Sequence, residues 1–208
     1  MEATTNYAVI SGMIASAFTF SHEAYGERFF TFMLESERLS GTSDVLPVTV
    51  SERLLDGSLA LGDTIKIIGQ IRSYNSYNDG RTHLILTLFA RDILRCEDNE
   101  DPQNNIELNG FICKPCICRT TPFGRKIADI LLAVNRGYNK SDYIPCICWG
   151  RNAVFASRLS IGDNIKITGR MQSRKYQKKL SDTEIIEKIA YEISISRAEI
   201  LYNDENNT

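Results

Sequence analysis

The 208-residue chain has one tryptophan, Trp149, and only two histidines, His22 and His83. So little imidazole leaves few candidates for a general base. The chain also lacks a phosphate-cradling Gly-rich loop with Lys, a His-Glu-x-x-His pair, a Ser-centred elbow and paired acidic metal ligands, so no enzyme and no cofactor is expected. Long hydrophobic runs are missing as well. The longest are strand-sized, well short of the roughly 18 apolar residues of a membrane-spanning helix, so no membrane partner is expected. The start, Met1-Glu2-Ala3-Thr4-Thr5-Asn6, has no basic stretch before an apolar core, which points to a cytoplasmic protein.

Cysteine is better supplied, with six, including Cys113-Lys114-Pro115-Cys116-Ile117-Cys118 and Cys146-Ile147-Cys148. A Cys-x-x-Cys pair can hold half of a tetrahedral zinc site. No second such pair and no nearby histidine completes one, and Cys146 and Cys148 share one strand face, so no metal is expected. Disulfides are disfavoured in a reducing compartment.

The formal net charge of −2 conceals two unlike halves. Residues 1–100 carry 8 Lys/Arg against 14 Asp/Glu, and residues 101–208 carry 16 against 12. Attraction for phosphate is therefore expected from the second half.

The chain also repeats itself. A shift of 98 superposes Gly26 on Gly124, Arg38 on Arg136, Asp44 on Asp142, Pro47 on Pro145 and Arg53 on Arg151. After a slip of two residues, Leu59, Gly62-Asp63, Ile65-Lys66-Ile67, Gly69 and Ser73 fall on Leu159, Gly162-Asp163, Ile165-Lys166-Ile167, Gly169 and Ser173. Two copies mean duplicated domains, where many would mean a solenoid. The polar, acidic, proline-bearing stretch around Glu97-Asp98-Asn99-Glu100-Asp101-Pro102 reads as the linker. The expected boundaries are a domain at 1–95, a linker at 96–104, a domain at 105–202 and a polar tail at 203–208.

Within each copy apolar residues alternate with polar ones. Ile165, Ile167, Gly169 and Met171 oppose Lys166, Thr168, Arg170 and Gln172, a period of two that excludes a helix. Further strands are expected at Ile106 to Cys113, around Ala128 to Val134, at Tyr143 to Trp149 and at Ile189 to Ile195, with a short helix at Arg151 to Arg158. Five strands with one helix between the third and fourth is the order of the OB-fold, a small Greek-key barrel, so the expected class is all-β, two tandem OB-folds. A five-stranded SH3-like barrel is the structural alternative.

The third strand sets Tyr143, Pro145, Ile147 and Trp149 on one face and Ile144, Cys146 and Cys148 on the other. Small thiols are commonly buried, so the cysteine face is expected inside and the aromatic face outside. On the next strand Lys166, Arg170 and Arg174 point the same outward way, with Tyr176 following. Exposed rings beside a basic stripe suit sequence-tolerant binding of a single strand, rings stacking on bases while cations track phosphates. Each ring alone is more often a packing residue, and each cation alone a solvated one; the combination carries the reading. Lys178 and Lys179 lie on a loop expected from Tyr176 to Lys188, where Ser181-Asp182-Thr183-Glu184 is also a plausible helix-capping box. Tyr138, Lys140, Arg125 and Arg136 are weaker candidates on loops or strand ends.

Leu131 to Arg136, Tyr143 to Gly150, Gly169 to Tyr176 and Tyr191 to Ser194 together resemble the bacterial single-stranded DNA-binding protein family, over residues 105–201. The resemblance implies single-stranded DNA as partner, with Tyr143, Trp149 and Tyr176 stacking on bases and Arg151, Arg174 and Lys175 among the basic contacts. It implies a nucleoid-associated protein of replication, recombination or repair, with replication or repair proteins as further partners, and four OB domains brought together, which a homodimer of this chain would supply. The ending Asn203 to Thr208 departs from the family's acidic tip with its terminal phenylalanine, so recruitment through such a tip is not expected. In the first copy Val45 and Ser51 stand where Tyr143 and Trp149 stand in the second. Lys66, Arg72 and Tyr74 keep the fourth-strand side, and this acidic domain is expected to serve assembly more than DNA binding. A primosomal replication-restart factor and an OB module that binds only protein are the alternative functions.

Overall fold

A computed structural model describes residues 5–78, 81–97, 100–179 and 185–202, without the side chains of residues 78, 81, 178, 179 and 185. The first half contributes β1 (Asn6–Ile14), β2 (Thr19–Ala24), β3 (Glu27–Glu37), β4 (Ser43–Ser51), β5 (Thr64–Asn78) and β6 (Arg81–Arg95). The second half contributes β7 (Asn104–Ile112), β8 (Ile117–Thr120), β9 (Lys126–Arg136), β10 (Lys140–Trp149), helix α1 (Arg151–Ala156), β11 (Asn164–Lys179) and β12 (Ile185–Ile200). Among the described residues no helix is long and apolar enough to cross a membrane.

Each half closes on itself. In the first, β1 pairs with β3 and β5, β3 with β4 and β5 with β6, all antiparallel, and the parallel contact of Val48 with Leu88 joins β4 to β6. In the second, β7 pairs with β9 and β11, β9 with β10 and β11 with β12, and Cys146 opposite Ile193 makes the parallel closure of β10 on β12. These are two OB barrels of one connectivity. Inward-facing residues fill each, among them Ile10, Leu34, Val48 and Ile67 in the first and Leu108, Leu132, Ile144 and Ile167 in the second, all buried. The expected cysteine face is inside, for Ile144, Cys146 and Cys148 are buried. Burial pushes the Cys148 thiol up to about 12 and that of Cys146 well above its ordinary value. Both thiols stay protonated and unreactive.

The five-stranded ring expected of each barrel is present, and a short outer strand, β2 or β8, hairpins onto β3 or β9 outside that ring; β8 is exposed along its whole length and has no alternation to read. Two local expectations are corrected. The first barrel has only a 3-10 turn at Glu52–Leu54 in place of α1. Its copy is two residues shorter there, and Asp56-Gly57, with Gly57 at φ 77°, turns the chain before a helix can extend. The stretch expected as a loop from Tyr176 to Lys188 is largely a hairpin, with Tyr176 opposite Lys188 and Lys179 opposite Ile185. Polar residues on both faces hid that pairing. The proposed capping box at 181–184 lies outside the described residues.

Gly69 and Gly169, matched by the repeat, sit at the irregularities where β5 meets β6 and β11 meets β12. A Cβ at either would strike a carbonyl oxygen, of Phe89 or Ser194. Only glycine permits that approach.

The barrels share one sheet through β1 and β7, antiparallel with Ala8 opposite Ile106, Asn6 opposite Leu108 and Ile10 opposite Asn104. Because the repeat offset here is 98, Ala8 and Ile106 are copies of each other, and the other two pairs exchange under the repeat. The contact is thus its own image under an internal twofold, as in an isologous dimer. The side chains around it obey the same symmetry. The Asn6 amide donates to Ile71 O (2.7 Å) and its Oδ1 accepts from Ile71 N–H (2.9 Å), while Asn104 does the same with Met171 (2.9 and 2.8 Å).

Candidate nucleic-acid interface

The outer face of β10 begins at the junction of the barrels. Tyr143 is 47% exposed, and its main-chain N–H donates to Ser73 Oγ of the first barrel (2.7 Å). Trp149, at the far end, is half-buried with the Arg125 guanidinium 5.0 Å from its ring centroid, a cation–π contact. Ile147 between them is only 1% exposed, standing mid-strand between Asp129 on β9 and Ser194 on β12, so the expected outer face narrows to Tyr143, Pro145 and Trp149.

On β11, Tyr176 is 38% exposed. The outward parity of Lys166, Arg170 and Arg174 holds, but each has a carboxylate. Arg174 clasps buried Glu192 through Nε and Nη2 (3.2 and 3.3 Å), Lys175 reaches Glu187 (3.0 Å) and Lys166 lies 3.9 Å from Glu107. Hydrogen bonding to Glu192 leads in holding the Arg174 pKa above its ordinary value, so this side chain remains a cation. Arg170 turns to the junction, where Nη1 is 3.7 Å from Asp44 of the first barrel and Nη2 donates to Gln172 (3.2 Å). Arg151 is exposed at the start of α1. The backbone of Lys178 and Lys179 continues β11, and their side chains lie outside the described residues.

Arg174, Tyr176 and Pro145 line a groove of about 640 Å³ whose opposite wall is the first barrel's His83, Leu84 and Pro47. Arg119, paired with Asp129 (2.9 Å), stands beside it. Arg136 and Tyr138, the weaker candidates, lie elsewhere. Arg136 is 3.6 Å from buried Asp142, and Tyr138 is fully exposed on the turn between β9 and β10 at φ 63°.

Sequence reasoning missed two things. Arg125 covers the tryptophan it was ranked below; its place at the end of the turn from Gly124, just before Lys126 pairs into β9, was the available signal. The first barrel, though it has Val45 and buried Ser51 at the two positions of interest, carries other rings. His22 stacks on Phe29 (4.9 Å), Phe29 meets Phe89 (5.8 Å), and the Arg72 guanidinium lies 5.6 Å from Phe89. These come from three strands, so no single window of sequence displays them. Among the described residues no group of three or more His, Cys, Asp or Glu is placed to hold a metal ion.

Fold and surface together define a protein of paired OB barrels with rings and cations on an open sheet face. Residues 103–201 match the model of the single-strand binding protein family, so the likeness lies in the second domain. Among curated relatives, single-stranded DNA-binding protein 1 of Streptococcus pyogenes is 37% identical over 81 residues, covering 36% of this chain and 62% of that protein. Single-stranded DNA-binding protein A of Bacillus subtilis is 36% identical over 81 residues, covering 36% and 47%. The matched segment thus spans between about half and three fifths of these relatives' length. The wild-type single-stranded DNA-binding protein of Thermus aquaticus superposes over 98% of this chain and 96% of its own with a TM-score of 0.78 at 18% identity, a likeness of fold.

Proposed function

We propose that this protein binds single-stranded DNA with little regard to sequence, in replication, recombination or repair and in association with the nucleoid. The observation that carries the reading is the arrangement around β10 in the family domain: Trp149 under Arg125, with Tyr143 and Tyr176 exposed on the same barrel. Every base has a ring face, so stacking on such side chains contributes about 1–3 kcal/mol per base without selecting among bases. Phosphates then meet Arg151, Arg174 and Lys175. The carboxylates of Glu192 and Glu187 keep the latter two extended and oriented between binding events, and a phosphate must compete with them.

The relatives named for single-stranded DNA binding support this reading. We further propose that the chain acts as a homodimer, four barrels in all, because the internal twofold already supplies one barrel-to-barrel contact within each chain. The first test is titration of the full chain with oligo-dT while following Trp149 fluorescence. Saturable quenching that weakens with salt is expected, whereas equal or tighter binding to duplex would overturn the proposal.

A further inference from the structure

The internal twofold produces two seam grooves between the barrels, and they have diverged. One, of about 750 Å³, is lined by Tyr25, Arg72 and Arg91 from the first barrel and Arg136, Tyr138 and Lys140 from the second. The repeat carries Arg136, Tyr138 and Lys140 onto Arg38, Ser40 and Thr42, and the strand pairings carry Arg72 onto Gln172 and Arg91 onto Ser196. The mate groove, of about 500 Å³, accordingly holds Arg38, Ser40, Arg170 and Ser196 with Glu37. The first groove sets four cations over one buried carboxylate, Asp142, and the second sets two cations against Glu37 and buried Asp44. Only one seam is strongly positive.

The rings agree with the charges. Tyr25 and Tyr138 are both fully exposed and both occupy left-handed backbone, at φ 52° and 63°. Tyr25-Gly26 is the two-residue link between β2 and β3, a position that favours Asn or Asp over a bulky ring. A turn that needed only to turn would not put tyrosine there. The cations are also crowded. Arg72 Nη1 lies 3.5 Å from Asp142 and Nη2 donates to Gln70 (2.6 Å), while its buried Nε has no hydrogen-bond partner among the described residues. Burial lowers the Arg72 pKa, Asp142 opposes this, and neighbouring Arg136 and Arg91 add to the lowering. An anion in the groove would relieve that repulsion.

We infer that single-stranded DNA crosses from the second barrel to the first at this cationic seam and not at its mate, with its phosphates on Arg72, Arg91, Arg136 and Lys140 and bases against Tyr25 and Tyr138. The inference rests on the single-strand reading above. It makes the acidic first barrel part of the DNA path on one side only, so a strand meets the duplicated chain asymmetrically.

The test uses the full chain and an oligo-dT of about 30 nucleotides, long enough for two barrels at about 4–16 nucleotides each. The double variant Arg91→Ala/Lys140→Ala removes two exposed groove cations, and Lys114→Ala/Arg158→Ala removes two exposed cations that line neither seam groove. The groove variant is expected to bind about tenfold more weakly, with a slope of log affinity against log salt shallower by about 1.4, at about 0.7 per phosphate contact. The control variant is expected to keep the wild-type slope. If both variants behave alike, the seam is not a crossing. If Trp149→Ala weakens binding while the groove variant matches wild type, the inference fails and the single-strand reading stands. If the unaltered chain shows no preference for oligo-dT, both fail.

Discussion

Asp44 of the first barrel accepts hydrogen bonds from the main-chain N–H and the hydroxyl of Ser173 in the second, at 2.7 and 3.0 Å, although its side chain has no solvent exposure. Arg38 meets the same carboxylate through two nitrogens (2.6 and 2.5 Å). Under the internal twofold the counterpart is Asp142, which accepts from Ser73 N–H (2.8 Å) with Arg136 and Arg72 beside it. Each barrel thus inserts a buried carboxylate into its neighbour's fourth long strand. Burial acts to raise the Asp44 pKa, but the bonds from Arg38 and Ser173 outweigh it and the carboxyl sits below its usual range.

Asp44→Ala is expected to destabilise the chain by about 3–5 kcal/mol, the usual cost of leaving one member of a buried ion pair unpartnered. The wild-type contribution is full above the unfolded carboxylate pKa, about 3.9, and is lost as pH falls through the lower folded value. Denaturant melts of both proteins at neutral pH and below about pH 4 check this; a stability gap that does not narrow in acid would refute it.

Trp149→Ala is expected to weaken oligo-dT binding by about 1–3 kcal/mol with thermal stability retained, since the ring is half-exposed and stacked on Arg125. Wild-type emission is expected to fall on addition of oligo-dT. Loss of thermal stability in the variant, with emission indifferent to DNA, would make the tryptophan a packing residue instead.

Arg174→Ala is expected to lower affinity and make the salt slope shallower by about 0.7, the value for one phosphate contact on a single strand. Because Glu192 also holds this guanidinium, Arg174→Lys provides a second reading. A lysine keeps a cation but not the two-nitrogen clasp, so it should restore the slope more fully than the affinity. An unchanged slope in the alanine variant would leave Arg174 as the structural partner of Glu192 alone.

Light scattering at micromolar concentration is expected to give twice the 23.5 kDa chain mass. A monomer would remove the four-barrel assembly but not the binding proposal, whose residues lie on one chain.

Much of the fold was legible in the residues, because a barrel interior imposes a period of two. Ile165 and Ile167 against Lys166 and Thr168, or Cys146 and Cys148 against Pro145, display inside and outside directly. The pairing of β11 with β12 beyond Tyr176 was not legible, since those strands extend past the core and have no apolar face to mark them. Among the candidate binding residues, parity put Tyr143, Trp149 and Tyr176 on the outer surface. It could not reveal that Arg170 turns to Asp44, or that Arg125 reaches Trp149, because both partners are set by packing between segments distant in the chain.

The sequence by itself determined that there are two like domains, that each is a β-barrel of OB order, and that positive charge gathers in the second, because repeats, alternation and charge are local or one-dimensional properties. Only the tertiary structure decided how the copies meet. Pairing β1 with β7 about an internal twofold brings Asp44 to Ser173 and Asp142 to Ser73, and it sets Arg72 and Arg91 of the acidic half beside Arg136 and Lys140 of the basic one. Net charge averaged over a domain is blind to that junction, since the field a phosphate meets depends on which side chains share a groove and not on which half of the chain encodes them.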